Sequence, residues 1–176
     1  MRRRVIVIVA AAFGLVALVA GYWVAQHRHD PATDSAFIDF TLFDTHGTER
    51  ALSAWRGRTI VLNFWATWCA PCREEIPLLI DIQTRYAARG VQVVGVAIDR
   101  PDAVVAYAAQ LGMNYPVLLA DARTFDLLTA YGDQAGALPF TVVVDPAGGI
   151  SRRKLGAFRA AELEHTILDA INDPAR

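Results

Sequence analysis

Cys69 and Cys72 are the only two cysteines among 176 residues, and they lie within the stretch WATWCAPCREEIP, from Trp65 to Pro77. Two thiols three positions apart, at the start of what reads as a helix, suit three chemistries: a structural disulfide, a metal clip or a working dithiol. A bridge between them closes a very short loop, so as a staple it stabilises little. As a metal clip, two thiolates suit Cu(I), which favours soft ligands. A four-ligand zinc site would need further donors. His46 and His165 read as surface residues, and His27 and His29 as solvated linker residues. As a working dithiol the pair has the right setting. The free N–H groups and positive dipole end of a helix N-terminus favour an anion. That lowers the pKa of a thiol at Cys69 and makes it a nucleophile near neutral pH. Pro71 suits the first helical turn, where a missing N–H costs nothing. Cys72, one turn inward, is better shielded and placed to attack a mixed disulfide formed at Cys69.

The flanking pattern supplies the elements that must hold this pair. Thr59–Ala66 is nearly continuous apolar with β-branched residues, the pattern of a strand buried on both faces. Pro71–Arg89 reads as a helix with Leu78, Leu79, Ile82 and Tyr86 on one side, and Gly90 ends it. Phe37–Phe43 reads as a short strand, Asp44–Gly47 as a turn and Leu52–Trp55 as one helical turn. Val91–Ile98 is a second buried strand. Helices are expected over Asp102–Leu111 and Thr124–Tyr131, with a short strand at Tyr115–Leu119 between them. Phe140–Val144 and Ile150–Leu155 form a hairpin about the turn Asp145–Gly149, and Ala160–Ile171 closes as an amphipathic helix. This alternation predicts an α/β fold: a mixed central sheet flanked by helices on both faces.

Composition sets the class. The chain is 54% hydrophobic and 20% charged, consistent with a packed core and against wholesale disorder. Its net charge is −1, from 17 basic and 18 acidic residues, which gives no reason to expect a nucleic-acid partner. Two cysteines are too few for a disulfide-rich scaffold. At the N-terminus, Arg2-Arg3-Arg4 precedes an uncharged, mainly apolar run from Val5 to Ala25. As a helix that run spans about 30 Å, enough to cross a bilayer core, and Tyr22 and Trp23 suit its far interface. The arginines keep the tip cytoplasmic and place everything after Ala25 across the membrane. The run is long for a signal peptide and lacks a clean small-x-small cleavage pair, so an uncleaved anchor is the expectation over a cleaved leader. The expected organisation is an anchor at 1–25, a polar linker at 26–36 and one domain at 37–176. Either reading of the N-terminus exports that domain to a compartment where thiols change redox state.

The run NFWATWCAPCREEIP, in its strand–helix setting, resembles the active site of the thioredoxin superfamily. More narrowly it resembles the membrane-anchored TlpA/ResA-type thiol–disulfide oxidoreductases of bacteria, over roughly Phe37 to Ile171. The resemblance implies a thioredoxin fold with an N-terminal β extension and an inserted α/β segment between the second buried strand and the hairpin. It also implies a two-cysteine active site that cycles through a Cys69–Cys72 disulfide, with no metal or organic cofactor. The implied partners are substrate proteins with cysteines or disulfides and a membrane protein that relays electrons from the cytoplasm. The implied location is the bacterial cytoplasmic membrane, single-pass, with the C-terminal domain in the periplasm or outside the cell.

Four further positions match the family one at a time. Trp68 matches the tryptophan beside the active site, which on its own reads as a buried or half-buried aromatic. Pro139, in Ala137-Leu138-Pro139-Phe140-Thr141, matches the cis-proline loop that faces the dithiol and offers backbone groups to an extended peptide; by itself it reads as a trans proline entering a strand. Glu75, three residues after Cys72 and on its helix face, matches an acidic residue that tunes the cysteines in ResA-like members; the alternative is a solvated glutamate. Pro77 matches the proline that kinks this helix. Two positions depart from family patterns. Asn63 stands where thioredoxin has a buried aspartate and cannot titrate, leaving Glu75 as the proton acceptor to consider. Phe140 stands where the cytochrome-maturation branch often carries a glutamate, which weakens a dedicated role in reducing apocytochrome c. Arg152-Arg153-Lys154 reads as a solvated edge.

The leading expectation is a reductase of protein disulfides. A disulfide-donating oxidase or isomerase of the same fold and a Cu(I)-binding metallochaperone module are the alternatives. A peroxidase of the peroxiredoxin kind would carry threonine or serine where this chain has Ala66.

Overall fold

The computed structural model describes residues 37–172. The anchor expected at 1–25 and the linker expected at 26–36 lie outside the described residues. Among the described residues no helix is long and apolar enough to cross a membrane.

Two central strands carry the fold. β3 (Thr59–Trp65) and β4 (Val91–Ala97) are buried at every position, which is why their sequences run apolar without alternation. They pair in parallel, with Asn63 opposite Gly95 and Trp65 opposite Ala97. β5 (Val117–Leu119) adds in parallel to β4, and β6 (Phe140–Val144) adds antiparallel to the other side of β3. β7 (Ile150–Leu155) closes the far edge against β6, giving the order β5-β4-β3-β6-β7. β1 (Thr41–Phe43) and β2 (Glu49–Ala51) form a separate antiparallel hairpin. Its turn is tied to the sheet where Thr45 N donates to Val117 O at 3.1 Å.

Helices cover both faces. Val61 and Trp65 of β3 pack with Ile76, Leu79 and Ile82 of α1 (Ala70–Tyr86), Val104 of α2 (Pro101–Leu111), and Leu163 and Ile167 of α4 (Ala160–Asn172). Ile60, Leu62 and Phe64 point the other way, towards Leu127, Leu128 and Tyr131 of α3 (Thr124–Tyr131) and Leu42 of β1. The period-2 alternation of strand side chains thus feeds two apolar layers from one strand.

Most expected elements form within one or two residues of their sequence bounds. The strand expected at Phe37–Phe43 shortens to β1. Among the described residues its ladder is the three-residue pairing with β2, while Phe37, Ile38 and Phe40 pack as half-buried side chains on the α3 layer. β2 itself escaped the sequence reading, because Glu-Arg-Ala on an exposed hairpin carries no apolar alternation. The strand expected from Tyr115 begins only at Val117; Pro116 has no N–H to give a ladder, though its carbonyl accepts from Gly95 N at 2.9 Å. The helix expected to Arg89 is α-helical to Tyr86 and ends in a 3₁₀ turn, Ala87–Arg89, capped by Gly90 at φ +84°. The basic run on β7 is more than a solvated edge. Arg153 Nε donates to Tyr131 O at 2.8 Å, tying the sheet edge to the end of α3, and Lys154 Nζ pairs with Glu162 of α4 at 2.9 Å.

Candidate active site

β3 ends at the centre of the sheet, and a tight turn at Ala66–Cys69 redirects the chain into α1, with Cys69 N donating to Ala66 O at 3.2 Å. Cys69 is the N-cap of α1. Its backbone is extended (φ −81°, ψ 107°), and its Sγ accepts the Cys72 N–H at 3.3 Å. A sulfur therefore occupies the place where a hydroxyl or carboxylate usually caps a helix. The same N–H group would stabilise a thiolate there. Pro71 sits in the first turn, as expected. The two sulfurs are bonded to each other, with Cα atoms 5.3 Å apart. Cys72 is 1% exposed and Cys69 5%. Both are shielded in the disulfide state, Cys72 the more so.

Trp68 is 68% exposed, beside a dithiol that is nearly closed to solvent. That corrects the reading of a buried or half-buried aromatic. The turn forces it: Ala66 and Cys69 face inward, so the residue between Thr67 and Cys69 projects out. The Leu138–Pro139 bond is cis, which replaces the trans proline that the residue alone suggested. Pro139 O accepts from Gly156 N at 2.8 Å, fixing the loop to the end of β7.

Glu75 decides between the two readings it had. It is 2% exposed and is therefore no solvated helix glutamate. Oε1 accepts the Phe158 N–H at 2.8 Å and Oε2 accepts from Asn63 Nδ2 at 3.0 Å. Asn63 Nδ2 also donates to Thr141 Oγ1 at 2.9 Å. The carboxyl thus joins α1 to β3, β6 and the segment before α4. Burial pushes its pKa up; the hydrogen bonds from Phe158 and Asn63 and the charge of Lys154 pull back without cancelling that effect. A neutral amide at Asn63 is what this carboxyl requires. An aspartate there would set a second acid against Glu75, whereas the amide donates to it. Behind this cluster lies Tyr115, its hydroxyl pKa raised by burial and then by the Glu75 charge. The Tyr115 hydroxyl and Trp65 Nε1 are buried and find no hydrogen-bond partner among the described residues. Gly95 makes room for both rings: a Cβ there would meet Trp65 Nε1 at 3.0 Å and Tyr115 Cε2 at 3.3 Å.

Sequence reasoning placed Cys69, Cys72, Trp68, Pro71, Glu75 and Pro139. It missed Asn63, Thr141 and the Phe158 N–H as the partners that hold Glu75. One signal was present: a lone amide inside an otherwise apolar buried strand must find partners. It also missed Asp99, whose carboxylate accepts from both polar groups of Thr67. Pro77 lies within α1 as expected. His165 pairs with Asp169 at 2.8 Å on the exposed face of α4. Among the described residues no group of three His, Cys, Asp or Glu side chains could hold a metal ion. A recess of about 550 Å³ between the hairpin turn and α2 is lined by Asp44, His46, Met113 and Tyr115, and includes neither cysteine. The dithiol lies instead beside an exposed tryptophan, and Leu138, the residue before Pro139, packs on the apolar cluster that contains both cysteines. Such an arrangement can exchange disulfides with a peptide laid across it.

Known proteins agree with that chemistry. Residues 33–153 match the AhpC/TSA family. The thiol–disulfide oxidoreductase ResA of Geobacillus thermodenitrificans is 30% identical over 165 residues, covering 93% of this chain and 91% of its own. Among solved structures, a thioredoxin-family thiol:disulfide interchange protein from Chlorobium tepidum superposes with TM-score 0.71 at 29% identity, over 76% of this chain and 94% of that one. A putative thiol:disulfide interchange protein DsbE from Chlorobium tepidum gives TM-score 0.68 at 30% identity, over 77% and 94%.

Proposed function

We propose, for a chain that belongs to the AhpC/TSA family and is a thiol–disulfide oxidoreductase of thioredoxin-like fold, that it reduces protein disulfides on the outer side of the cytoplasmic membrane. In this mechanism the Cys69 thiolate attacks one sulfur of a substrate disulfide. The substrate S–S bond breaks, a mixed disulfide forms and the departing substrate thiolate takes up a proton. Cys72 then loses its proton, and its sulfur attacks Cys69 and releases the second substrate thiolate, which is protonated in turn. The substrate has gained two electrons and two protons. The chain is left with the Cys69–Cys72 disulfide.

Glu75, one helical turn beyond Cys72 and with its pKa raised by burial, is the group proposed to take the Cys72 proton. Trp68 and the cis-Pro139 loop hold the substrate peptide. Each cycle requires two electrons from a membrane donor. Arg2-Arg3-Arg4 and the apolar run Val5–Ala25 support an anchor with the domain outside. Apocytochrome c, whose haem-attaching cysteines must be reduced, is one substrate class compatible with this place.

The observation that carries the reducing direction is the buried carboxyl of Glu75 on the Cys72 side of the pair. DsbA is a strong oxidant because its reduced form is stabilised. A buried acid does the opposite: ionised, its charge disfavours a thiolate, and protonated, it offers no charge to stabilise one. The test is the reduction potential of the full chain, equilibrated in defined thiol–disulfide buffers. A value nearer thioredoxin's about −270 mV than DsbA's about −120 mV is expected. A value near the second would make the protein a donor of disulfides. For the location, the chain should stay with membranes through an alkaline wash and be digested by protease added outside spheroplasts. Protection from that protease would sink the outward orientation.

A further inference from the structure

Cys69 is positioned from two sides. On one side its own helix supplies the Cys72 N–H. On the other stands the turn Ala66–Cys69, which leaves the sheet just after Trp65 O accepts from Ile98 N at 2.8 Å. Inside this turn Thr67 has two polar hydrogens, on its amide and its hydroxyl. Both go to one oxygen, Asp99 Oδ2, the amide at 3.2 Å. The other oxygen, Oδ1, accepts the Arg100 N–H at 2.7 Å. Every one of these contacts favours the ionised carboxylate, and the Thr67 hydroxyl does most to keep its pKa below the usual range. Asp99 lies two residues past the end of β4, so the turn is tied to the strand beside β3 and not to α1.

The exchange steps make no use of this carboxylate. Its contacts determine where Thr67 sits, and Thr67 is two residues before the attacking sulfur. We propose that Asp99 is a positioning residue for Cys69: by holding Thr67 at both polar groups, it fixes the turn that projects Trp68 outward and delivers Cys69 to the cap of α1. The inference rests on the exchange chemistry proposed above. In the oxidised state the disulfide restrains Cys69 by itself. In the dithiol that restraint falls to the turn, the cap contact and the Arg73 N–H donated to Cys69 O at 3.2 Å. A clamp on Thr67 therefore limits the freedom that the chain gains on reduction and keeps the two thiols facing each other. Releasing the clamp favours the dithiol.

The experiment is equilibration of the full chain with glutathione redox buffers, comparing wild type with Asp99→Ala, Asp99→Asn and Thr67→Val, with thermal melts of both redox states. Asp99→Ala should shift the equilibrium constant towards the dithiol by about three- to tenfold, or about 15–30 mV at the two-electron conversion. Asp99→Asn keeps an acceptor for Thr67 and should restore most of the wild-type value. Thr67→Val loses the hydroxyl donor but keeps the amide, so its shift should be smaller and in the same direction.

An equilibrium constant unchanged in Asp99→Ala, with both redox states melting lower by the same amount, would reduce Asp99 to a fold-stabilising residue and overturn the proposal. Asp99→Asn behaving like Asp99→Ala would also overturn it, since charge and not the contact would then be at work. Should Asp99→Ala fail to fold, an unmoved Thr67→Val overturns the proposal and a shifted one supports it. A wild-type pair that never equilibrates with glutathione would defeat the exchange reading itself. A wild-type pair that equilibrates beside unmoved variants defeats only the role of Asp99.

Discussion

Two carboxyl groups flank one dithiol, and their surroundings set them in opposite directions. Glu75 lies one turn along α1 from Cys72, tied to β3 and to the segment before α4, and burial raises its pKa. Asp99 lies at the mouth of the turn before Cys69, half-exposed, and its hydrogen bonds lower its pKa. Glu75 accepts two hydrogen bonds and Asp99 three, and one extra donor does not by itself reverse the direction. Desolvation does: a buried carboxylate loses more hydration than two neutral N–H groups replace, whereas a half-exposed one keeps its water and gains donors. One side of the pair is thereby equipped to hold a proton, the other to hold a fixed charge and a fixed turn.

The two carboxyls bear on exchange only if the dithiol between them is the working part, and the largest effects test that. Cys69→Ser should abolish disulfide exchange. Cys72→Ser should keep the first attack and accumulate a mixed disulfide with substrate, detectable by mass spectrometry of acid-quenched samples. Exchange retained in Cys69→Ser would remove the mechanism.

Next in size is the loss of the amide that holds Glu75. Asn63→Ala leaves Oε2 of a buried acid without its side-chain donor, at a cost of about 1–3 kcal/mol, read from urea unfolding near neutral pH. It should also push the Glu75 pKa further up. A midpoint unchanged from wild type would mean that the Asn63 contact contributes nothing.

The sign of the pH dependence then distinguishes the two acids. Glu75 has a folded pKa above its unfolded value. Its contribution is fully present below the unfolded value, near 4.5, and is lost as pH rises through the raised folded value. Glu75→Gln should flatten that limb of the stability–pH curve, provided that Asn63 turns its amide over to accept from the new one. Asp99 behaves oppositely. Its contribution is present above the unfolded value, near 3.8, and is lost as pH falls through the lower folded value. Asp99→Asn should flatten only the acid limb, and by less, because the group is half-exposed and screened by solvent. Both variants flattening the same limb would break the contrast.

The two sides also differ in how far the sequence revealed them. Glu75 was visible as a residue one turn from Cys72, but its burial was not. Helical spacing defines a face, and only the packing of β6 and the Phe158 segment, distant in sequence, decides whether that face meets water. Asn63 left a trace as an amide in an apolar strand, though it read as a lost proton acceptor and not as the donor that keeps Glu75 in place. Asp99 left none, because an aspartate after a strand is an ordinary loop residue until its partner is known. Trp68 was placed beside the site, but its 68% exposure follows from the turn that Thr67 and Cys69 impose.

By itself the sequence determined what is local or periodic: two strands buried on both faces, a helix opening at a Cys-Ala-Pro-Cys cap, the stops at glycines and the identity of the two sulfurs. These follow from side-chain hydrophobicity, backbone allowance and the dipole of one helix, all carried by neighbouring residues. Tertiary structure alone decided which acid is buried and which is clamped, the donors each finds and the isomer at Pro139. Those outcomes depend on desolvation and on contacts that span tens of residues, from Thr67 to Asp99 and from Glu75 to Phe158. Such contacts exist only once the sheet order brings the segments together.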